Sequence, residues 1–311
     1  MVRFILRRLA QGALTLWLLS VLVFVSVHVT GSPAAYLLGP EAGTVEYEQL
    51  KARLGLDRPL WEQYGSFVAR AAQGDLGKSH ITGRPAIEVL AERFPATLQL
   101  ALAAFLLTLV IGIPLGIISA EKRGSLLDRG VKVFAVLGMA APNFWVAIML
   151  VLLFGVTLGW VPTFGRGDLS HLILPAFVLS WHGMAGMVRL GRSSMLEVLG
   201  SEYVKFARLK GLPERLVIYK HALRNALTPT ITYAGLTLAG LLNGSVAIEV
   251  IFAWPGVGRL MLRGISQRDF PIVQATVLAA GLFYIIASLV VDILYAYVNP
   301  RIRFETSRSG V

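Results

Sequence analysis

Six stretches of this chain carry almost no charge, and each is long enough to cross a lipid bilayer. They cover 9–30, 94–120, 133–165, 169–188, 225–253 and 270–300; Glu249 is the one acid in the fifth and Asp292 the one in the sixth. A helix needs roughly 20 apolar residues to span about 30 Å of hydrocarbon, and every stretch supplies them. Only helices and closed barrels satisfy their backbone groups in lipid, and these runs lack the alternation of barrel strands. Of the 311 residues only 15% are charged, against about a quarter in a soluble domain. Cysteine is absent, which removes disulfides, thiolate catalysis and Cys-ligated metals, and five scattered histidines leave little for a metal site. The fold class is an all-α integral membrane protein of six transmembrane helices.

The distribution of Lys and Arg orients these helices. With the N-terminus inside, the inner segments hold 18 basic residues, and the two short outer loops hold four: Arg166, Arg259, Arg263 and Arg268. The first outer loop, 31–93, is long enough to escape the rule and is large enough for short helices over 44–54 and 59–72. Both termini are therefore expected in the cytoplasm, and the net charge of +11 reflects topology and anionic lipid rather than nucleic acid. The N-terminal run follows Arg3, Arg7 and Arg8, but it exceeds a signal-peptide core and stays as the first helix.

Several motifs invite chemistry and do not support it. Residues 72–79, Ala-Gln-Gly-Asp-Leu-Gly-Lys-Ser, fit a relaxed phosphate-loop pattern, yet no strand precedes them; a turn-rich outer segment is expected. Ser180 and His182 could suggest a buried hydrolase, but no Gly-x-Ser-x-Gly elbow occurs. Glu249 and Asp292 are candidates by virtue of lying in spans, with snorkelling or a helix–helix hydrogen bond the plainer account. The pairs Gly112/Gly116, Gly155/Gly159 and Gly240/Gly244 would allow close helix approach.

The inner loop between the fourth and fifth stretches is the unusual one, at about 40 residues. Ser201 can cap a short helix from Glu202 to Lys210, with an acid in its first turn and a cation in its last. Gly211 supplies the break, and Pro213 opens a second helix with Leu216, Tyr219, Leu223 and Leu227 along one stripe. The loop reads as a folded helix–turn–helix on the inner face; an amphipathic element lying on the membrane surface is the alternative.

The segment Glu202-Tyr-Val-Lys-Phe-Ala-Arg-Leu-Lys-Gly-Leu212, followed by His221-Ala-Leu-Arg-Asn-Ala-Leu-Thr-Pro229, resembles the cytoplasmic coupling loop of ABC-importer permeases. More closely, the chain is similar to the first permease subunit of the dipeptide/oligopeptide/nickel family. The tags that carry this run through the whole sequence. They are Phe4-Ile-Leu-Arg-Arg-Leu9, Leu22-Val-Phe24, Leu54-Gly-Leu-Asp-Arg-Pro-Leu60, Gly74-Asp-Leu-Gly77, Trp254-Pro-Gly-Val-Gly-Arg-Leu260, Arg268-Asp-Phe-Pro271 and the close from Val291 to Arg303. Two departures stand out: Thr30-Gly-Ser-Pro33 where the family usually has Pro-Gly-Asp-Pro, and Lys205-Phe206-Ala207 where the general motif begins Glu-Ala-Ala.

The resemblance implies a type I importer permease with no catalytic residue, metal or cofactor of its own. ATP and Mg would sit on cytoplasmic ATPase partners, of one or two kinds. A second homologous permease would complete the pore, and an extracytoplasmic binding protein would deliver cargo. It also implies residence in a bacterial inner (plasma) membrane. Carried onto this chain, the ATPase-coupling residues are Glu202, Tyr203, Lys205, Phe206, Ala207, Lys210 and Gly211. Asn143 and Asn243 are candidates for the translocation path. Arg259, Arg263 and Arg268, basic against the topology rule, are candidates for an outer gate or a binding-protein contact. The expected organisation is 1–93 (first helix plus outer segment), 94–304 (permease core, coupling loop 189–229) and 305–311 (tail). Di- or oligopeptides are the expected cargo, with glutathione, nickel chelates or opines as the alternative; a secondary transporter or an intramembrane hydrolase are competing classes.

Overall fold

The computed structural model describes residues 2–29, 44–53 and 57–298. The Thr30–Pro33 departure and the end of the chain from residue 299 lie outside the described residues. The described chain is helical: α1 Val2–Val29, α2 Thr44–Arg53, α3 Leu60–Ala72, α4 Ala86–Glu121, α5 Leu126–Ala140 and α6 Asn143–Leu150, which continues as a π-helical segment, Val151–Thr157. Then come α7 Leu169–Leu199, α8 Glu202–Leu209, α9 Glu214–Leu216, a π-helical turn Val217–Ala222, α10 Leu223–Ile251, α11 Val257–Ser266 and α12 Phe270–Val298.

Four of these helices, α1, α4, α7 and α12, are individually long and apolar enough to cross a membrane. Their outward side chains are large and apolar, as Leu14, Trp17, Leu18 and Leu22 on α1 illustrate, so the solvent around them is lipid rather than water. α10 has 29 residues, about 43 Å of rise, and matches the fifth apolar stretch. The third stretch departs from expectation. It is not one straight helix but two, α5 and the α6 segment, bent by 113°. Pro142 explains the break: it pushes Ala141 out of the helical region, to ψ 130, and itself takes ψ 133 before α6 begins.

The chain separates into two compact units, Met1–Thr97 with Pro255–Ile285 and Leu98–Trp254 with Ile286–Val311. In the first unit, α3 packs on α1 through an aromatic cluster of Phe24, Tyr64 and Phe67, and the Ser20 and Tyr64 hydroxyls share a 2.8 Å hydrogen bond. The two short outer helices fall where 44–54 and 59–72 were expected. The phosphate-loop look-alike is preceded by α3, not by a strand. Its Gly74 and Gly77 take left-handed φ of 82° and 84°, and its Ser79 hydroxyl donates to Asp269 at 2.5 Å. His80 N–H also donates to Asp269, at 3.1 Å. The segment is thus a turn pinned by the buried carboxylate of the Arg268-Asp-Phe-Pro271 tag.

In the second unit α4 and α7 meet at glycine. A Cβ on Gly116 would lie 2.9 Å from the Val188 carbonyl and 3.4 Å from Gly191 Cα; one on Gly112 would meet Met187. The Gly112/Gly116 pair therefore marks a real close approach, whereas Gly240 faces open space. Beside this contact lies a buried ionic knot that the sequence did not advertise. Asp128, inaccessible on α5, accepts from Ser119 Oγ (2.6 Å), Gly124 N–H (3.0 Å) and Arg192 Nε (2.8 Å) and Nη2 (3.1 Å), with Lys132 Nζ at 3.3 Å. One carboxylate so ties the end of α4, the following turn, α5 and α7 together.

Candidate functional site

α8 starts where Ser201 leaves the extended region (ψ 154) and ends at Leu209, one residue short of the expected Lys210, which caps it before Gly211 takes φ +75°. That left-handed turn favours glycine because it has no Cβ to clash with the carbonyl. The Ser201 side chain does not cap α8 as expected; its hydroxyl donates back to Val198 O at 2.5 Å and fastens the turn to α7 instead. Glu202 and Lys205 pair at 2.7 Å one turn apart.

Two faces of this eight-residue helix do different work. Val204, fully buried, and Ala207 join a cluster with Ile117 and Ala120 of α4, Met195 of α7, Val217, Ile218 and Ala222 of the π-helical turn and Ala226 of α10. Tyr203, Phe206 and Leu209 point the other way and are 42%, 62% and 82% exposed. Three large apolar side chains at i, i+3 and i+6, fenced by Glu202, Lys205 and Lys210, form a stripe on a short helix with no lipid-length partner. Burying Val204 and Ala207 fixes that stripe to the ends of α4, α7 and α10, so a push on it moves those helices.

The turn after α8 is clamped. Arg208 donates from Nε and Nη2 to Glu214 at 3.1 and 2.7 Å, a bidentate pair across Gly211. The Arg208 hydrogen bond holds the Glu214 carboxyl below its ordinary range. Asn225 Nδ2 donates to the Tyr203 hydroxyl at 2.8 Å, joining α8 to α10. None of Val204, Arg208, Glu214 or Asn225 was singled out from sequence. The six-residue Arg–Glu spacing matches no single helix and becomes a pair only once Gly211 reverses the chain.

The helix after Pro213 also differs in phase from expectation. Val217, Ile218, Ala222, Ala226 and Thr230 are buried, and Tyr219 is exposed. The π-helical turn Val217–Ala222 widens the helix and shifts the buried face from the Leu216–Tyr219–Leu223–Leu227 stripe to residues four apart.

Other candidates disperse. Asn143 is the first residue of α6, at the bend rather than in mid-span. Asn243 lies on α10, and its side chain is outside the described residues, as is that of Asp292. Glu249 is fully buried, which excludes snorkelling. Ser180 is buried and donates to Phe177 O, while His182 is exposed, so the pair makes no nucleophile–base contact. Arg259 and Arg263 lie on α11 and line one cleft; Arg268 does not join them. Arg268 instead takes φ 50° and closes α11, its N–H donating to Ile265 O. Among the described residues no group of His, Asp and Glu could hold a metal.

The described residues form a bundle of long apolar helices that carries a short helix with one face buried in the bundle and the other exposed. Residues 112–304 match the family described as the binding-protein-dependent transport system inner membrane component, and residues 1–101 match its N-terminal companion. The chain belongs to this family of ABC-importer permeases, in its dipeptide/oligopeptide/nickel group. It is 40% identical over 306 residues, 98% of the chain and 100% of the relative, to the glutathione transport system permease protein GsiC of Escherichia coli strain K12. The same figures hold for the protein of that name from Shigella dysenteriae serotype 1. Among solved structures, an inward-facing MetNI methionine ABC transporter superposes with TM-score 0.57 at 19% identity, over 68% of this chain and 96% of that one. An amino acid ABC transporter gives 0.53 at 13%, over 68% and 94%. These establish the type I permease fold. The chain is a multi-pass inner-membrane transport subunit, not an enzyme, and it works with ATPase and substrate-binding partners.

Proposed function

We propose that this chain is one half of the pore of an importer that carries peptide-like solutes into the cytoplasm, and that α8 is where ATPase motion enters it. The observation that carries the proposal is the two-faced α8: Val204 and Ala207 buried in the bundle, Tyr203, Phe206 and Leu209 presented outward. A short helix with one face locked into three transmembrane helices transmits force; an element lying loosely on lipid would not need the Arg208–Glu214 clamp. ATP and Mg sit on the partner ATPases, and closure of those subunits biases the bundle between inward and outward openings. A second, homologous permease completes the path.

Both termini lie in the cytoplasm on this reading, as the excess of inner Lys and Arg supports. The organisation 1–93, 94–304 and 305–311 follows, with the first outer segment and α11 facing the binding protein. Asn143, at the α5–α6 bend, and Asn243 line the path. The relatives named for glutathione support a small peptide as cargo, glutathione itself included. The test is uptake of labelled glutathione and of a dipeptide by cells that express the whole system. Uptake of at least one, lost when the ATPase is inactivated, is expected; uptake indifferent to the ATPase would contradict the proposal.

A further inference from the structure

A separate cleft opens between α5 and α7, at the end of the bundle that leads into α8. Its volume is about 670 Å³, within the ~300–1,000 Å³ span of small-ligand sites. Its floor is closed where Val131 and Ala135 of α5 pack on Val188 of α7. Three cations stand along it: Lys132 on α5, and Arg189 and Arg192 three residues apart on one face of α7. Lys132 and Arg192 share a single carboxylate, the buried Asp128, at 3.3 and 2.8 Å, and that carboxylate also accepts from Ser119 and Gly124. Arg189 is exposed and lies outside that knot. The pairing of Asp128 with Arg192, and the close approach of Gly138 to Ala185, run the two helices antiparallel. The cations therefore lie toward α8. Away from it the α5 wall is apolar, formed by Val136, Met139 and Ala140, with Met139 roughly 10 Å along the helix from Lys132.

A cleft charged at one end and apolar at the other fits an amphiphile that carries its anion and its hydrocarbon in one molecule. Guanidinium forks match phosphate oxygens, and three cations around one carboxylate leave positive charge for a second anion. The apolar wall runs on to Val133 and Leu137 of α5, 57% and 53% exposed, so chains lying along it reach the surrounding lipid. A small soluble anion would satisfy the cations and leave that wall uncovered. We propose that the cleft binds an anionic phospholipid, its phosphate on Lys132, Arg189 and Arg192 and its acyl chains along Val136, Met139 and Ala140. A phosphate held there joins α5 to α7 beside Asp128 and so braces the helix that runs into α8. On the orientation proposed above, the lipid belongs to the cytoplasmic leaflet, where basic pockets between helices meet anionic headgroups.

The test uses the full chain with whatever partners copurify, in phosphatidylcholine nanodiscs doped with a phosphatidylglycerol that carries a diazirine on one acyl chain. Photolabelled peptides are mapped by mass spectrometry. Label is expected on Val136, Met139 or Ala140, and a diazirine phosphatidylcholine with the same chains should label them severalfold less. In Lys132→Gln/Arg189→Gln, which leaves the Arg192–Asp128 pair in place, the phosphatidylglycerol label should fall severalfold at unchanged melting temperature. Lys132→Arg/Arg189→Lys should keep it. If the first variant melts early, the comparison of the two probes on the native chain decides alone. Equal labelling by both probes makes the cleft an unselective lipid groove and overturns the site. So does label displaced by millimolar inorganic phosphate or alanyl-alanine, which assigns the cations to a soluble anion. Absence of label, as when a second protein covers the cleft, overturns it too. No step of the test measures transport, so the site and the importer reading stand or fall separately.

Discussion

Gly211 sets the angle between α8 and the helix that follows, and it does so with a backbone conformation few residues accept. Alanine there must adopt φ near +75°, at a cost of about 1–2 kcal/mol. Proline cannot reach that angle and removes the N–H that donates to Arg208 O at 2.9 Å. Gly211→Pro is expected to leave the chain in the membrane and abolish ATPase copurification; Gly211→Ala should weaken it only partly. Pull-down of a tagged chain checks both.

The neighbouring clamp makes a pH prediction. Arg208 depresses the Glu214 carboxyl, so in the folded state it stays ionised below its ordinary value of 4.5. A depressed acid contributes stability that is present above its unfolded value and lost as pH falls through the folded one. Protection factors against hydrogen exchange at residues 208–214, corrected for the intrinsic pH dependence of exchange, should therefore fall below about pH 4.5 in the native protein. In Glu214→Gln the same protection factors should already be lower at pH 7 and should not change further with acid.

At the scale of elements, the knot around Asp128 is the strongest single tie. Removing one partner of a buried ion pair strands the other, at about 3–5 kcal/mol. Asp128→Ala is thus expected to lower the melting temperature of the detergent-solubilised complex sharply, while Lys132→Ala, the exposed partner, should cost little. Sequence reasoning passed over Asp128 because one acid among Lys122, Arg123, Arg129 and Lys132 looks like part of a charged inner loop. Its partners, Ser119 and Arg192, come together only when α4, α5 and α7 pack. Other elements were open to reading. Apolar length marked α1, α4, α7 and α12, since lipid imposes length and little else. The end of α8 followed from Gly211, whose conformational demand is local, while its start fell where expected although the Ser201 side chain does not cap it. The bend at Ala141–Pro142 was hidden inside a longer uncharged run, although Pro142 was its signal. The phase of the helix after Pro213 was lost to a π-helical turn, which leaves no periodic trace.

For the molecule as a whole, the proposed function assigns the two faces of α8 to joining the bundle to its motor. The apolar stripes of the long helices face lipid, the glycine contact of α4 with α7 sets their spacing, and the α8 core fastens the loop to three helices at once. The short helix and its glycine turn were legible in the sequence; which of their residues anchor and which project was not, because Ala207 and Phe206 sit side by side in the tag and face opposite ways. The most direct measurement is therefore made on the projecting stripe. A tagged chain carrying Phe206→Asp and Leu209→Asp, both outside the bundle core, is extracted in mild detergent beside the native chain, with melting temperature and copurifying proteins recorded for each. The account predicts unchanged melting of the permease and loss of the ATPase subunits. ATPase retained in full by the doubly substituted chain would contradict it.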